Sequence, residues 1–174
     1  MLKTISLIVL AALAVLLVYA ATLPNTFRVE RSASIKAPPA RIFALINDMH
    51  GFNTWNPYAR KDPAMKGQYS GSVSGPGASY AWESDKVGTG SMTIQDSTPT
   101  RITMRLDFVK PFEAKNMAEF TLQPAGDTTQ VTWAMSGPAN FMSKLMEALT
   151  LMDRMVGNDF ADGLSNLKTI AESR

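Results

Sequence analysis

The chain is 174 residues long, enough for one domain with a sizeable core plus an appendage. Its formal charge is +2 with acids and bases interspersed, so no basic stripe invites nucleic acid. The lack of cysteine excludes disulfides, thiolate catalysis and thiolate metal sites. A lone histidine, His50, excludes a histidine metal cluster and speaks against a Ser-His-Asp triad, so neither metal nor cofactor is expected.

The first element reads as a membrane segment. Ile5–Ala21 contains only Ser6 as a clearly polar residue, and apolar character runs from Leu2 to Leu23. A stretch of roughly 20 apolar residues spans a hydrocarbon core. Val18-Tyr19-Ala20 also resembles a small-residue cleavage site, so a cleaved signal peptide is the competing reading. The apolar run is longer than the about 7–15 residues of a signal peptide. Tyr19 suits an interfacial anchor, and a retained single-pass anchor is the expectation. Lys3 and the amino terminus should stay cytoplasmic, which in a bacterium leaves the domain periplasmic, tethered to the inner (cytoplasmic) membrane. Residues 1–23 are then the anchor, 24–26 a linker and 27–174 the folded domain.

Phe27–Lys36 alternates, with Phe27, Val29, Arg31, Ala33 and Ile35 on one side, and reads as a strand. Ala37-Pro38-Pro39 stops it and starts a helix over Ala40–Asn47, since proline is welcome in a first turn. Asp48–Trp55 forms a second short helical turn that Asn56-Pro57 ends. Gln68–Ser74, Ser79–Ser84, Gly88–Gln95, Thr100–Val109, Glu113–Gln123 and Thr128–Ser136 follow as strands at hairpin spacing, giving an antiparallel sheet. Gly71, Gly75 and Gly77 lead into a strand rather than a helix, so they are turn and bulge residues, not a phosphate cradle.

The last stretch, Asn140–Arg174, organises the rest. Phe141, Leu145, Leu149, Met152, Val156, Phe160, Leu164 and Leu167 recur in steps of three and four, the stripe of a long amphipathic helix. Asn140 is its expected N-cap. Met142, Met146 and Met155 flank the stripe, and thioethers suit either irregular core gaps or surfaces that adapt to ligands. Gly157 weakens the helix by about 1 kcal/mol relative to alanine and is the expected bend. The sheet needs a partner for its apolar face, and this helix is the one element long enough.

Arg31–Pro38, Trp55–Tyr58, Asp62-Pro63, Gly77–Trp82, Val87–Met92, Thr129–Trp133 and Gly163–Lys168 together carry a resemblance over nearly all of residues 27–172. The chain resembles the START-like, Bet v 1-like superfamily (SRPBCC), which includes polyketide cyclases and lipid-transport domains. That resemblance implies an α+β helix-grip fold, a curved antiparallel sheet wrapped on a long C-terminal helix. It also implies a hydrophobic cavity between the two. The expected lining is Tyr80, Trp82, Met92, Met104, Leu106, Phe108, Trp133 and Met135, facing Met142, Met146 and Leu149. Trp55 and Tyr58 would flank the mouth. A filled core using the same residues, with Trp55 and Tyr58 capping it, is the alternative.

Asp48 and His50 are close enough in sequence to suggest an acid–base pair, yet a histidine near a helix end is ordinarily a surface or capping residue. Glu83, Asp107 and Glu119 fall on the outward side of their strands, so no carboxylate dyad is expected. Three functions remain. The first is a membrane-tethered module that binds or transports a small hydrophobic ligand or lipid. The second is a cyclase- or dehydratase-like enzyme that moulds a reactive chain and supplies one polar group such as Tyr80. The third is a protein-interaction part with a collapsed cavity.

Overall fold

Among the described residues, 2–173 of a computed structural model, seven strands form where apolar and polar side chains alternate, in a single antiparallel sheet. They are β1 (Thr26–Ile35), β2 (Lys66–Ser70), β3 (Ser79–Ser84), β4 (Gly88–Thr98), β5 (Arg101–Lys110), β6 (Ala114–Ala125) and β7 (Thr128–Pro138). Their spatial order is β1-β7-β6-β5-β4-β3-β2, so only the β1–β7 pairing joins strands distant in sequence. Bulges between Thr89 and Gly90 and between Ile94 and Asp96 locally increase the twist of β4. The sheet thereby curves around the helix that lies across it.

Between β1 and β2 come α2 (Pro39–Ile46), α3 (Met49–Trp55) and α4 (Pro57–Lys61). Asp48 caps α3 by accepting from the His50 backbone N–H at 2.8 Å. The Asn56-Pro57 pair ends α3, as expected, and also starts α4, which the sequence did not announce. Asn56 accepts from the Tyr58 N–H at 3.1 Å, and Pro57 occupies the first turn, where no donor is needed. Gly71, Gly75 and Gly77 all have positive φ, as turn residues require.

The terminal segment is two helices, not one. Asn140 caps α5 (Phe141–Ala148) through the Ser143 N–H at 2.9 Å, as expected. The chain then breaks at Thr150, whose φ of 57° is left-handed, before α6 (Leu151–Glu172) begins. The bend is therefore at Thr150 rather than at Gly157. Phe160, Leu164, Leu167 and Ala171 of α6 are buried against the sheet, with β1 its main neighbour. By contrast, α5 packs against the last turns of α1 (Leu2–Thr22).

Gly157 has a packing reason. A Cβ there would overlap the Arg31 guanidinium, which donates to both carboxylate oxygens of Asp153 at 2.9 Å. That pairing holds the Asp153 carboxyl below its ordinary range, first through the hydrogen bond and then through the charge of Arg31. A depressed carboxylate stabilises the fold above the unfolded pKa of about 3.9, and that contribution is lost as pH falls through the folded value. Gly157→Leu is expected to push Arg31 off Asp153. The acid limb of a stability-against-pH curve should then be shallower below about pH 4. Identical acid limbs for wild type and variant would show that Arg31 finds Asp153 by another path.

Candidate hydrophobic cavity

Inward residues of β3 to β7 face α6 across a gap that they do not close. The result is a cavity of about 400 Å³. Its floor is set by register: Met104 pairs with Ala118, and Ala118 pairs with Met135, so three adjacent strands present two thioethers around one methyl. Tyr80, Trp82, Met92, Leu106, Phe108 and Trp133 complete the wall expected from the sequence, and all eight expected sheet residues line this one space. Side chains of α6 and α3, notably Val156, Phe160 and Phe52, form the roof.

Met142, Met146 and Leu149 do not line it. The break at Thr150 carries α5 away from the sheet, leaving Met142 60 % and Leu149 44 % exposed. Nor is Trp55 at the mouth. It is fully buried among Phe52, Phe120 and Trp133, and its indole N–H donates to the Leu45 carbonyl at 3.0 Å. Tyr58 does line the cavity, because α4 turns its ring toward α6.

The polar groups are few. The Tyr58 hydroxyl pairs with Asp159 of α6, which also binds the Lys61 ammonium at 2.5 Å. Burial pushes the Tyr58 phenol up, with the Asp159 charge and hydrogen bond adding to it, so it stays protonated. Burial likewise raises Tyr80, whose hydroxyl packs beside Gly67 and donates to the Met65 sulfur at 3.8 Å. The buried indole N–H groups of Trp82 and Trp133 have no acceptor among the described residues. Lys86, Lys110 and Phe112 rim the opening together with Met155. Sequence reasoning missed Lys61 and Asp159, since nothing in spacing brings α4 to α6. It also missed Ala118, which alternation alone points inward.

Outside the cavity, Asp48 and His50 make no side-chain pair; the His50 ring stacks on Tyr69 at 3.7 Å. Asp107 and Glu119 join exposed arginines in ion pairs on the outer face, with Arg105 and Arg101 respectively.

Residues 26–172 match the family model described as polyketide cyclase / dehydrase and lipid transport. The comparison with curated proteins returns no match. Protein CV1439 from Chromobacterium violaceum superposes with a TM-score of 0.61 at 15 % identity, covering 87 % of this chain and 100 % of that one. Protein MLL2253 from Mesorhizobium loti gives 0.58 at 18 %, covering 85 % and 99 %. The di-domain ARO/CYC BexL from the BE-7585A biosynthetic pathway gives 0.65 at 14 %, covering 99 % of this chain and 58 % of that one. At these identities the likeness is one of fold.

Proposed function

Because the chain belongs to the polyketide cyclase / dehydrase and lipid transport family, we propose that it is a binding or transport module for a small hydrophobic molecule or lipid, tethered by α1 to the inner membrane with its domain in the periplasm. The observation that carries the binding is the cavity itself. A space of about 400 Å³ with apolar, thioether-rich walls and a few polar tips falls within the range of small-molecule sites. The unpaired indole N–H groups of Trp82 and Trp133 favour a ligand with an oxygen function, since a buried donor left unmade costs roughly 1–3 kcal/mol. Supporting the tether, α1 is long and apolar enough to cross a membrane, a test that a signal sequence also passes.

Native mass spectrometry of the full chain, extracted in detergent, tests the binding. A co-purifying hydrophobic molecule, or saturable uptake of a fatty acyl or polycyclic probe, is the expected result. Repeated failure of both would end the reading. Carbonate washing and protease access in spheroplasts test the tether. A soluble periplasmic protein beginning near Ala21 would make α1 a signal peptide, and protection from external protease would reverse the orientation.

A second reading, a cyclase- or dehydratase-like enzyme, would use Tyr80, which lines the cavity, as its one polar group. Tyr80→Phe is expected to leave affinity for an acyl probe within about twofold, as losing one hydroxyl from an apolar pocket costs little. Should the same change lower turnover of a defined poly-carbonyl substrate by about 100-fold or more, the enzyme reading would replace the carrier.

A further inference from the structure

The topology fixes which way the cavity opens. In the antiparallel register Thr26 lies beside Pro138, Met117 beside Ser136, Phe108 beside Ala114, Thr89 beside Lys110, and Ser84 beside Gly88. All of these pairs sit at one end of the sheet. It is the end at which β1 leaves α1, across only Leu23, Pro24 and Asn25. The linker is itself clamped, since the Asn25 carbonyl accepts from the Ala139 N–H at 2.8 Å. The rim residues Lys86 and Phe112 belong to the β3–β4 and β5–β6 connections and Lys110 ends β5, all at this same end. The turns β4–β5 and β6–β7, and the loop carrying Val73, lie at the other.

Outside α1, most of the exposed large apolar side chains lie there as well, Val73 at 85 % being the main exception. Phe112 is 80 % exposed, Met155 61 % and Met142 60 %, with Phe141, Leu149, Leu151 and Val109 each at least 40 % exposed. Helix α5 packs on α1 where Ala20 is fully buried and Leu16 half-buried. At 1.5 Å per residue the 21 residues of α1 are about 31 Å long, which barely equals a hydrocarbon core of about 30 Å. The whole of α1 is needed to span, so its last turns sit in the leaflet nearest the domain. A helix packed on those turns sits at that depth too.

We infer that α5 and the Phe112–Met155 rim lie in the interfacial layer of the bilayer that α1 spans, so that the cavity opens onto lipid rather than water. Exposed apolar side chains enter the acyl boundary, and Lys86 and Lys110 meet phosphate headgroups just above it. Neither lysine joins an ion pair among the described residues, although the Lys86 charge helps to hold the Asp62 carboxyl down. The ligand is then drawn from the leaflet without crossing water. This rests on reading α1 as a retained span, and it adds to that reading the pose of the domain.

The chain has no cysteine, so single labels can be placed without background. The full-length variants Leu13→Cys, Phe112→Cys, Met142→Cys and Val73→Cys would carry a small environment-sensitive fluorophore. They would be reconstituted in phosphatidylcholine–phosphatidylglycerol vesicles, with bromine placed near either the headgroup end or the terminus of the acyl chains. The label at Leu13 should lose fluorescence to the deep bromines. Labels at Phe112 and Met142 should lose it to the shallow ones, and the label at Val73 to neither. A quenched Leu13 label beside unquenched Phe112 and Met142 labels would overturn the docked pose and leave the tether standing. An unquenched Leu13 label would overturn both. Met142 labels shielded from bromine and from aqueous iodide alike, with cross-links between copies, would assign α5 to self-association and overturn the lipid assignment.

Discussion

Trp133→Ala is expected to cost about 3–5 kcal/mol, the range for truncating a buried large aromatic. Trp133 lies at the hub of the aromatic core. Its ring stacks on Phe160 at 4.0 Å and on Phe120 at 5.1 Å, while the edges of Trp55 and Phe52 meet it at 5.6 and 6.2 Å. Through Phe160 it joins the sheet to α6, so its loss loosens the grip of sheet on helix as well as removing apolar contact. For a domain of this size the midpoint of thermal unfolding should fall by roughly 10 °C. Circular dichroism of the full chain in detergent reads it. The same ring leaves no room at Gly163, where a Cβ would lie 2.6 Å from it and 3.0 Å from Pro57. Gly163→Val should therefore cost about 1–3 kcal/mol in the wild type. In a Trp133→Leu background it should cost measurably less, because the two sites share one space. Additive effects in that cycle would contradict the close approach.

The strands were legible because period-two alternation survives wherever one face of a sheet is buried. Tyr80, Trp82, Met92, Met104 and Trp133 could be assigned inward from that alone. What the sequence concealed lies where helices meet. The stripe through Phe141, Leu145, Leu149 and Met152 has helical spacing on both sides of Thr150, so it reads as one helix. Neither glycine nor proline marks the break, because the left-handed residue is an exposed threonine whose backbone N–H donates to the Glu147 carbonyl and whose own carbonyl accepts from the Arg154 N–H. An apolar stripe records that a face is covered, not by what. The face of α6 meets the sheet, whereas α5 meets α1 and leaves Met142 and Leu149 exposed. For the same reason Trp55, placed at the mouth with core capping as the alternative, is core.

Gly157 illustrates a different limit. Its helical cost was visible, but its cause is Arg31, 126 positions earlier and delivered by the pairing of β1 with β7. The Tyr58–Asp159–Lys61 group was hidden in the same way, as it exists only once α4 is laid against α6. Local chemistry is written locally. Contacts between distant elements follow from topology, which periodicity does not encode.

Whether the interior is a container or a filled core turns on Ala118. Its small side chain, only 4 % exposed, sits on the floor between Met104 and Met135, at the centre of the inward sheet face. Ala118→Phe would extend a ring from that point into the space lined by Leu106, Phe108 and Phe160. If that space is open, the ring enters it without displacing packed atoms. Stability should then change by less than the roughly 1–3 kcal/mol that overpacking a closed core costs. Affinity for a fatty acyl probe should fall by at least about tenfold, equivalent to about 1.4 kcal/mol of lost binding. Thermal melting and probe titration on the same sample read both quantities. A strongly destabilised variant that still bound the probe as wild type does would place the ligand elsewhere and make the sheet–helix interior an ordinary core. Unchanged melting with lost binding is the signature of a cavity whose floor is Ala118.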